Sequence, residues 1–312
     1  MMGWRVVHLS KPCKITIETD NLALFFYDEE QAVHITLADI DFILFDSSKF
    51  SISGKALERL ANKKIATLFI DDAYHPSAIL TPYHQHSTMS EIAYAQIALS
   101  KEFKEVVWQK IIYSKIFNQM QVLKFFYKPK YKELEKLLPH IKLYDKNQDE
   151  AQAARLYWRA LFDVETFRRE QGSKDIINMM LNYAYAIIRA ACARDVSTSG
   201  MLGVFGIWHK NRYNAFALVD DLIEPFRPIC DIYVKKLLDK KYKNATSLTT
   251  PIKRDLIALL NFECVHLGGG NYRLSSAISE YVTRYKTVMI SGEINKMLFP
   301  TIDTEFFNNE RF

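Results

Sequence analysis

The sequence predicts an α+β protein, with a small N-terminal β-rich domain followed by a larger all-α domain. Two patterns predict it. Up to about residue 82, short runs of β-branched and aromatic residues alternate with turn residues; beyond residue 91, apolar residues recur at helical spacing almost throughout. A third observation is length. The chain has 312 residues, more than one small core needs, and its 49% hydrophobic and 25% charged content is that of an ordinary globular protein.

The β-rich part reads as strands at residues 4–9, 13–18, 22–27, 33–37 and 41–45. Turn chemistry separates them: Ser10-Lys11-Pro12, Asp20-Asn21 and Asp28-Glu29-Glu30. Over 54–63 the pattern turns helical, because Ala56, Leu57, Leu60 and Ala61 form one apolar face. A strand at 65–70 follows. Residues 83–90 are polar and without period, which marks a linker and divides the chain into domains at 1–82 and 91–312. Helices are predicted at 91–125 (long enough for two), 129–138, 147–159, 174–195, 219–241, 251–264 and 272–289. The segment 174–195 is apolar nearly all round, as in a buried central helix. Gly200, Gly203 and Gly206 then break the pattern into a loop, and Gly268-Gly269-Gly270 reads as another loop.

A net charge of +5 permits an anionic partner without demanding one. Cys13, Cys192, Cys230 and Cys264 are scattered, with neither metal-ligand spacing nor a disulfide framework, so reduced core cysteines are expected. No apolar leader segment and no membrane-spanning run of about 20 apolar residues is evident, which leads to the expectation of a cytoplasmic protein. Phosphate-loop, dinucleotide-binding and nucleophile-elbow motifs are absent.

The chemistry-bearing residues lie mainly in 206–228, GIWHKNRYNAFALVDDLIEPFRP. Asp220 and Asp221 fall four and three residues from Glu224, so one helix would bring both near it, and a hard divalent cation would offset the crowding. The plainer reading makes the two aspartates helix N-terminal carboxylates, and His209 a packed, hydrogen-bonded ring. Glu150 opens DEAQAARLYW and has the same plain reading. Lysines at 124, 128, 130 and 132, among Phe125, Phe126, Tyr127 and Tyr131, suit phosphates and unpaired bases, or else a solvated helix face. So does the group at 235, 236, 240, 241 and 243. His84 and His86, in the linker, read as solvated.

These segments resemble a known family. HKNRYNAFALVDDLIEPFRP is similar to the signature of the CRISPR-associated adaptation integrase, the protein numbered one; EAQAARLYW resembles its upstream acidic motif and NMMLNYAYAIIRA its central helix. The opening GWRVVHLSKPCKI resembles the variant found beside a single-protein RNA-guided effector, the type II systems. The resemblance runs to about residue 290. It implies a β-rich dimerisation domain and a helical catalytic domain. It further implies Glu150, His209 and Glu224 as catalytic metal ligands, Asp221 as a nearby supporting carboxylate, and Arg227 as a brace for the site or a phosphate; Asn178, Asn182 and Tyr183 match the central helix. Two carboxylates and an imidazole suit Mg²⁺ or Mn²⁺. Lys128 and Lys130 are carried as DNA contacts. The implied activity is insertion of new spacers into a CRISPR array by transesterification. Its partners would be duplex DNA (spacer precursor and repeat), a second copy of the chain, a small companion adaptation subunit and the effector nuclease. The competing readings are a metal-dependent nuclease for branched or repair-intermediate DNA and a non-catalytic DNA-binding scaffold.

Overall fold

The structure is a computed structural model that describes residues 3–71, 76–80, 87–142, 149–170 and 172–309. The β-rich part holds β1 (Arg5–Leu9), β2 (Cys13–Glu18), β3 (Asn21–Phe26), β4 (Val33–Thr36), β5 (Ile40–Phe45), β6 (Phe50–Ile52), α1 (Gly54–Asn62), β7 (Ala66–Ile70) and β8 (Pro76–Leu80). They form two four-stranded sheets, β1-β5-β7-β8 and β4-β3-β2-β6. In the first, β1, β5 and β7 run parallel and β8 returns antiparallel.

The two-residue period of a strand explains how the molecule holds together. All six residues of β5 are buried. Ile43 and Phe45 face a core shared with Ile15, Leu22 and Leu24 of the second sheet and Leu60 of α1; Phe42 and Leu44 face the opposite way, into the main helical core. The first sheet is thus a middle layer, covered by a sheet on one side and by helices on the other. The two expected domains are distinct in architecture but share a packed core. Of the expected linker 83–90, residues 83–86, with His84 and His86, lie outside the described residues; 87–88 form a turn and a helix begins at Met89.

The helical part comprises α2 (Met89–Ala98), α3 (Lys101–Phe125), α4 (Tyr131–Leu137), α5 (Asp149–Phe162), α6 (Ile176–Thr198), α7 (Ala217–Leu222), α8 (Arg227–Lys240) and α9 (Thr250–Ala258). Then follow β9 (Val265–Leu267), β10 (Gly270–Tyr272), α10 (Leu274–Ser291), β11 (Thr301–Ile302) and α11 (Thr304–Asn308). The segment expected as one or two helices over 91–125 is two, because Ser100 starts α3 by accepting the Phe103 N–H at 3.1 Å. Asp175 does the same for α6, accepting the Asn178 N–H at 2.9 Å. As its all-round apolar pattern predicts, α6 is mostly buried, packed against α8, α9 and α10. It is long and apolar enough to cross a membrane, but its burial is that of a core helix. All four cysteines are buried and unpaired.

Three expectations are corrected. The helix expected over 219–241 is broken: α7 ends at Leu222, Glu224–Phe226 is a 3₁₀ turn, and α8 begins at Arg227. Pro225 and Pro228 lack the N–H groups a continuous helix would need there. The Gly268–Gly270 loop is a hairpin. Gly268 and Gly269, both with positive φ, form the two-residue turn between β9 and β10. With β11 these strands make a small sheet inside the helical part. Strands β6 and β8 were also unforeseen; β6 is three residues long, and β8 begins at a proline, a residue tolerated at a strand's start or edge.

Buried ion pairs fasten the middle sheet to the helices. Arg194 of α6 donates to Asp41 of β5 at 2.5 Å and to Asp195 at 2.8 Å. Lys253 of α9 reaches Asp46 at 2.9 Å, and His8 binds the same carboxylate at 2.9 Å. Replacing Arg194 with Ala strands two buried carboxylates, so the Arg194→Ala variant should lose about 3–5 kcal/mol in urea unfolding. A loss below about 1 kcal/mol would show that the pair does not fasten the layers.

Candidate functional site

The residues singled out in the sequence are brought into one cavity of the helical part, about 1020 Å³, lined by Glu150, Arg169, Asn182, Tyr185, Arg189, His209, Asn214, Asp220, Glu224 and Arg227, among others. Each wall has a local cause. The first turn of α5 carries Glu150. The proline-broken turn after α7 carries Glu224, which is buried. The middle of α6 supplies Asn182, Tyr185 and Arg189, and the glycine-interrupted loop after α6 supplies His209.

The loop is held by one carboxylate. Asp221, fully buried on α7, accepts the N–H groups of Ile207 at 2.6 Å and Trp208 at 2.9 Å through Oδ2, and that of His209 at 3.3 Å through Oδ1. Oδ1 also binds His209 Nδ1 at 2.5 Å. That bond raises the imidazole's affinity for a proton, against partial burial. It also leaves Nε2 as the ring nitrogen that Asp221 does not engage. The ring packs edge-on to Trp108 of α3, which in turn stacks on Trp208. Gly206 permits this approach, since a Cβ there would lie 2.3 Å from the His209 carbonyl oxygen.

Glu150 and Glu224 meet through a residue the sequence reading missed. Lys115, buried on α3, places Nζ 2.6 Å from Glu150 Oε1 and 2.5 Å from Glu224 Oε2. Buried Glu224 Oε2 thus has the Lys115 ammonium as its close cation. Glu224 Oε1 faces Arg227 at 3.1 Å. Burial alone would raise the Glu224 pKa; Arg227 and Lys115 hold it below the usual carboxylate range. Burial likewise opposes the charge on Lys115, and Glu224 and Glu150 hold its pKa above the ordinary lysine value.

The acidic crowding expected of Asp220, Asp221 and Glu224 on one helix face is not formed. The break at Pro225 sends Glu224 toward Lys115, Asp221 turns into the loop, and Asp220 pairs with Arg189 at 2.6 Å and with Asn214 at 2.7 Å. Among the described residues, no three His, Cys, Asp or Glu side chains stand ready around one point to hold a metal ion. Arg227 lines the cavity. Lys128 and Lys130 are not among the lining residues; they pair with Asp163 and Glu133, each at 2.6 Å. Asn178 and Asn182 bind Arg169 at 2.7 and 2.5 Å and so fix it at the rim, whereas Tyr183 is buried in the core.

Arg169, Arg189 and Tyr185 were also missed. Both Arg169 and Arg227 lie over the Tyr185 ring, at 5.0 and 5.1 Å. The Tyr185 hydroxyl donates to buried Asp231, as does Tyr157 at 2.9 Å. A usable signal existed for two missed residues. Lys115 falls in register with Trp108, Ile111 and Ile112, and Arg189 interrupts the apolar run Ala184–Ala193; a charge among buried apolar neighbours is rarely idle.

A β-rich part joined to a helical part, whose cavity gathers two glutamates, a carboxylate-held histidine and three arginines, defines a two-part protein with a charge-rich pocket. Comparison with known proteins says which. The family described as "CRISPR associated protein Cas1" matches residues 8–254, and the chain belongs to that family. The CRISPR-associated endonuclease Cas1 of Neisseria meningitidis serogroup C (strain 8013) is 30% identical over 302 residues, covering 96% of this chain and 97% of that one. A casposase bound to its integration product superposes with a TM-score of 0.77 at 21% identity, covering 93% of this chain and 91% of that one. A chain of a Cas6-RT-Cas1–Cas2 complex gives 0.74 at 18% identity, covering 95% of this chain and 36% of that one.

Two outcomes test this geometry. Asp221→Ala should unprotect the amides of residues 207 and 208 in hydrogen exchange and cost at least about 2 kcal/mol, since buried N–H groups lose a charged acceptor. Asp231 is pushed up to about 7, chiefly by burial, with the two tyrosine hydroxyls opposing. A folded-state pKa above the unfolded value of about 4 means that Asp231 lowers stability progressively as pH rises from about 4 to 7. Asp231→Asn should therefore gain stability over the parent chain between pH 5 and 8 in urea titrations; a constant difference would contradict the assignment.

Proposed function

We propose that the chain is a divalent-metal-dependent DNA endonuclease and integrase of the type II kind, which inserts new spacers into a CRISPR array by transesterification. The observation that carries this reading is the convergence of Glu150, His209 and Glu224, far apart in sequence, on one arginine-rimmed cavity. Family membership and the likeness to the Neisseria endonuclease support the nuclease assignment. The likeness to a casposase bound to its integration product supports integration chemistry.

The donor set fits Mg²⁺ or Mn²⁺. It offers two carboxylates already drawn to one cation, the Lys115 ammonium, and an imidazole whose Nδ1 is already bound. Such an ion would polarise a phosphoryl oxygen and offset charge on the attacking or leaving oxygen. Glu150, His209 and Glu224 would hold it, with Asp221 fixing the imidazole. Arg169, Arg189 and Arg227 give the rim the positive field that a phosphate backbone needs, and they position the scissile phosphodiester. In the reaction, a DNA 3′-hydroxyl oxygen forms a bond to phosphorus while a backbone P–O3′ bond breaks, so one phosphodiester is exchanged for another and a new 3′-hydroxyl is released.

The substrates are duplex DNA spacer precursor and repeat. The likeness to a chain of a Cas6-RT-Cas1–Cas2 complex supports a small companion subunit as partner. A second copy docks through the β-rich part, where Phe25 and Val33 are exposed on the outer sheet and Tyr27 in the turn after β3. The effector nuclease joins the complex, which works in the cytoplasm.

Glu150→Ala, His209→Ala and Glu224→Ala should each lower Mn²⁺-dependent half-site integration into a repeat-bearing plasmid by at least about a hundredfold, with far-ultraviolet circular dichroism unchanged. Strand transfer retained in all three variants would refute the assignment. Activity confined to branched DNA, with none at a repeat, would favour the nuclease reading over integration.

A further inference from the structure

We infer that Lys115 is an exchangeable counter-ion built into the site: its ammonium holds Glu150 and Glu224 together in the metal-free protein, and an incoming divalent cation must displace it. The inference rests on the metal-site reading proposed above and extends it to a residue outside the ligand set. Nζ lies within 2.6 Å of one glutamate and 2.5 Å of the other, the same two carboxylates that would ligate the ion. Lys115 and Glu224 are both buried and Glu150 is half-buried, and without a cation between them the two carboxylates would repel each other where water screens them only in part. The ammonium is a compact charge on a flexible four-carbon stem, so it can withdraw without backbone movement; Arg227, which is stacked on Tyr185, is held by a second contact.

The same placement makes Lys115 a competitor. It occupies the space between the carboxylates, 2.6 Å from Glu150 Oε1 and 2.5 Å from Glu224 Oε2. A monovalent and a divalent cation at that spacing repel strongly in a partly buried site. Only one of them can bridge the same two oxygens. Lys115 therefore stabilises the empty site and weakens metal binding, so that the bound state is reached only when the metal concentration, or a DNA phosphate that adds negative charge, favours exchange.

Isothermal titration with MnCl₂ and thermal melting with and without Mn²⁺ test this on the full chain and its Lys115→Met, Lys115→Gln and Lys115→Arg variants. Lys115→Met and Lys115→Gln should bind Mn²⁺ roughly tenfold or more tightly than the parent, because the competing charge is gone. Both should melt lower without metal and show a larger Mn²⁺-induced rise in melting temperature. Lys115→Arg keeps a cation and should bind no more tightly than the parent. A variant that folds only with Mn²⁺ would support the inference in its strongest form. If the parent binds Mn²⁺ but the neutral variants bind equally or more weakly, Lys115 is not a competing counter-ion, and the metal site stands without it. If neither the parent nor any neutral variant binds Mn²⁺, both readings fall.

Discussion

Two buried or half-buried glutamates that share a single ammonium are the constraint around which this molecule is arranged. Like charges in a low-dielectric pocket cannot both remain ionised without compensation. Here the compensation comes from two sides: Lys115 from α3 and Arg227 from the start of α8. Each lies on an element whose position is set by packing elsewhere. The site is therefore a product of the core rather than of a local motif.

The buried central helix α6 is the clearest example. Its apolar sides pack against α8, α9 and α10, while its middle turns toward the cavity and delivers Asn182, Tyr185 and Arg189. Arg194, further along the same helix, is locked into β5 of the middle sheet. One rigid element thus joins the β-rich part, the core and the site. Supporting contacts of this kind fix catalytic side chains to within the fraction of an ångström that positioning demands. Asp221 does the same for His209, tying the ring nitrogen and three loop amides to a single carboxylate.

Much of this was legible in the sequence. The β-to-helix order, the buried helix and most strands followed from periodicity, because each element's apolar pattern agrees with its final burial. Residues 150, 209 and 224 were singled out by motif resemblance, and the fold brings them to one cavity. What the sequence hid was partnership. Helical spacing implied that Asp220, Asp221 and Glu224 share a face, but two prolines break that helix and the three carboxylates go to three different cations or donors. Lys115 was hidden because its partners are remote in sequence, and Gly268-Gly269 because a hairpin turn between very short strands leaves little periodic signal. Lys128 and Lys130 do not line the cavity, and their pairing with Asp163 and Glu133 is likewise a partnership that spacing alone does not show.

The central claim is that the carboxyls of Glu150 and Glu224 and the imidazole of His209 can close on one ion. Anomalous diffraction from crystals of the full chain grown with Mn²⁺ addresses it without any activity assay. A manganese peak is expected about 2.1–2.3 Å from both carboxylates and from His209 Nε2, with Asp221 still on Nδ1. A peak seated elsewhere, or no peak at Mn²⁺ concentrations that saturate related oxygen-ligand sites, would contradict it.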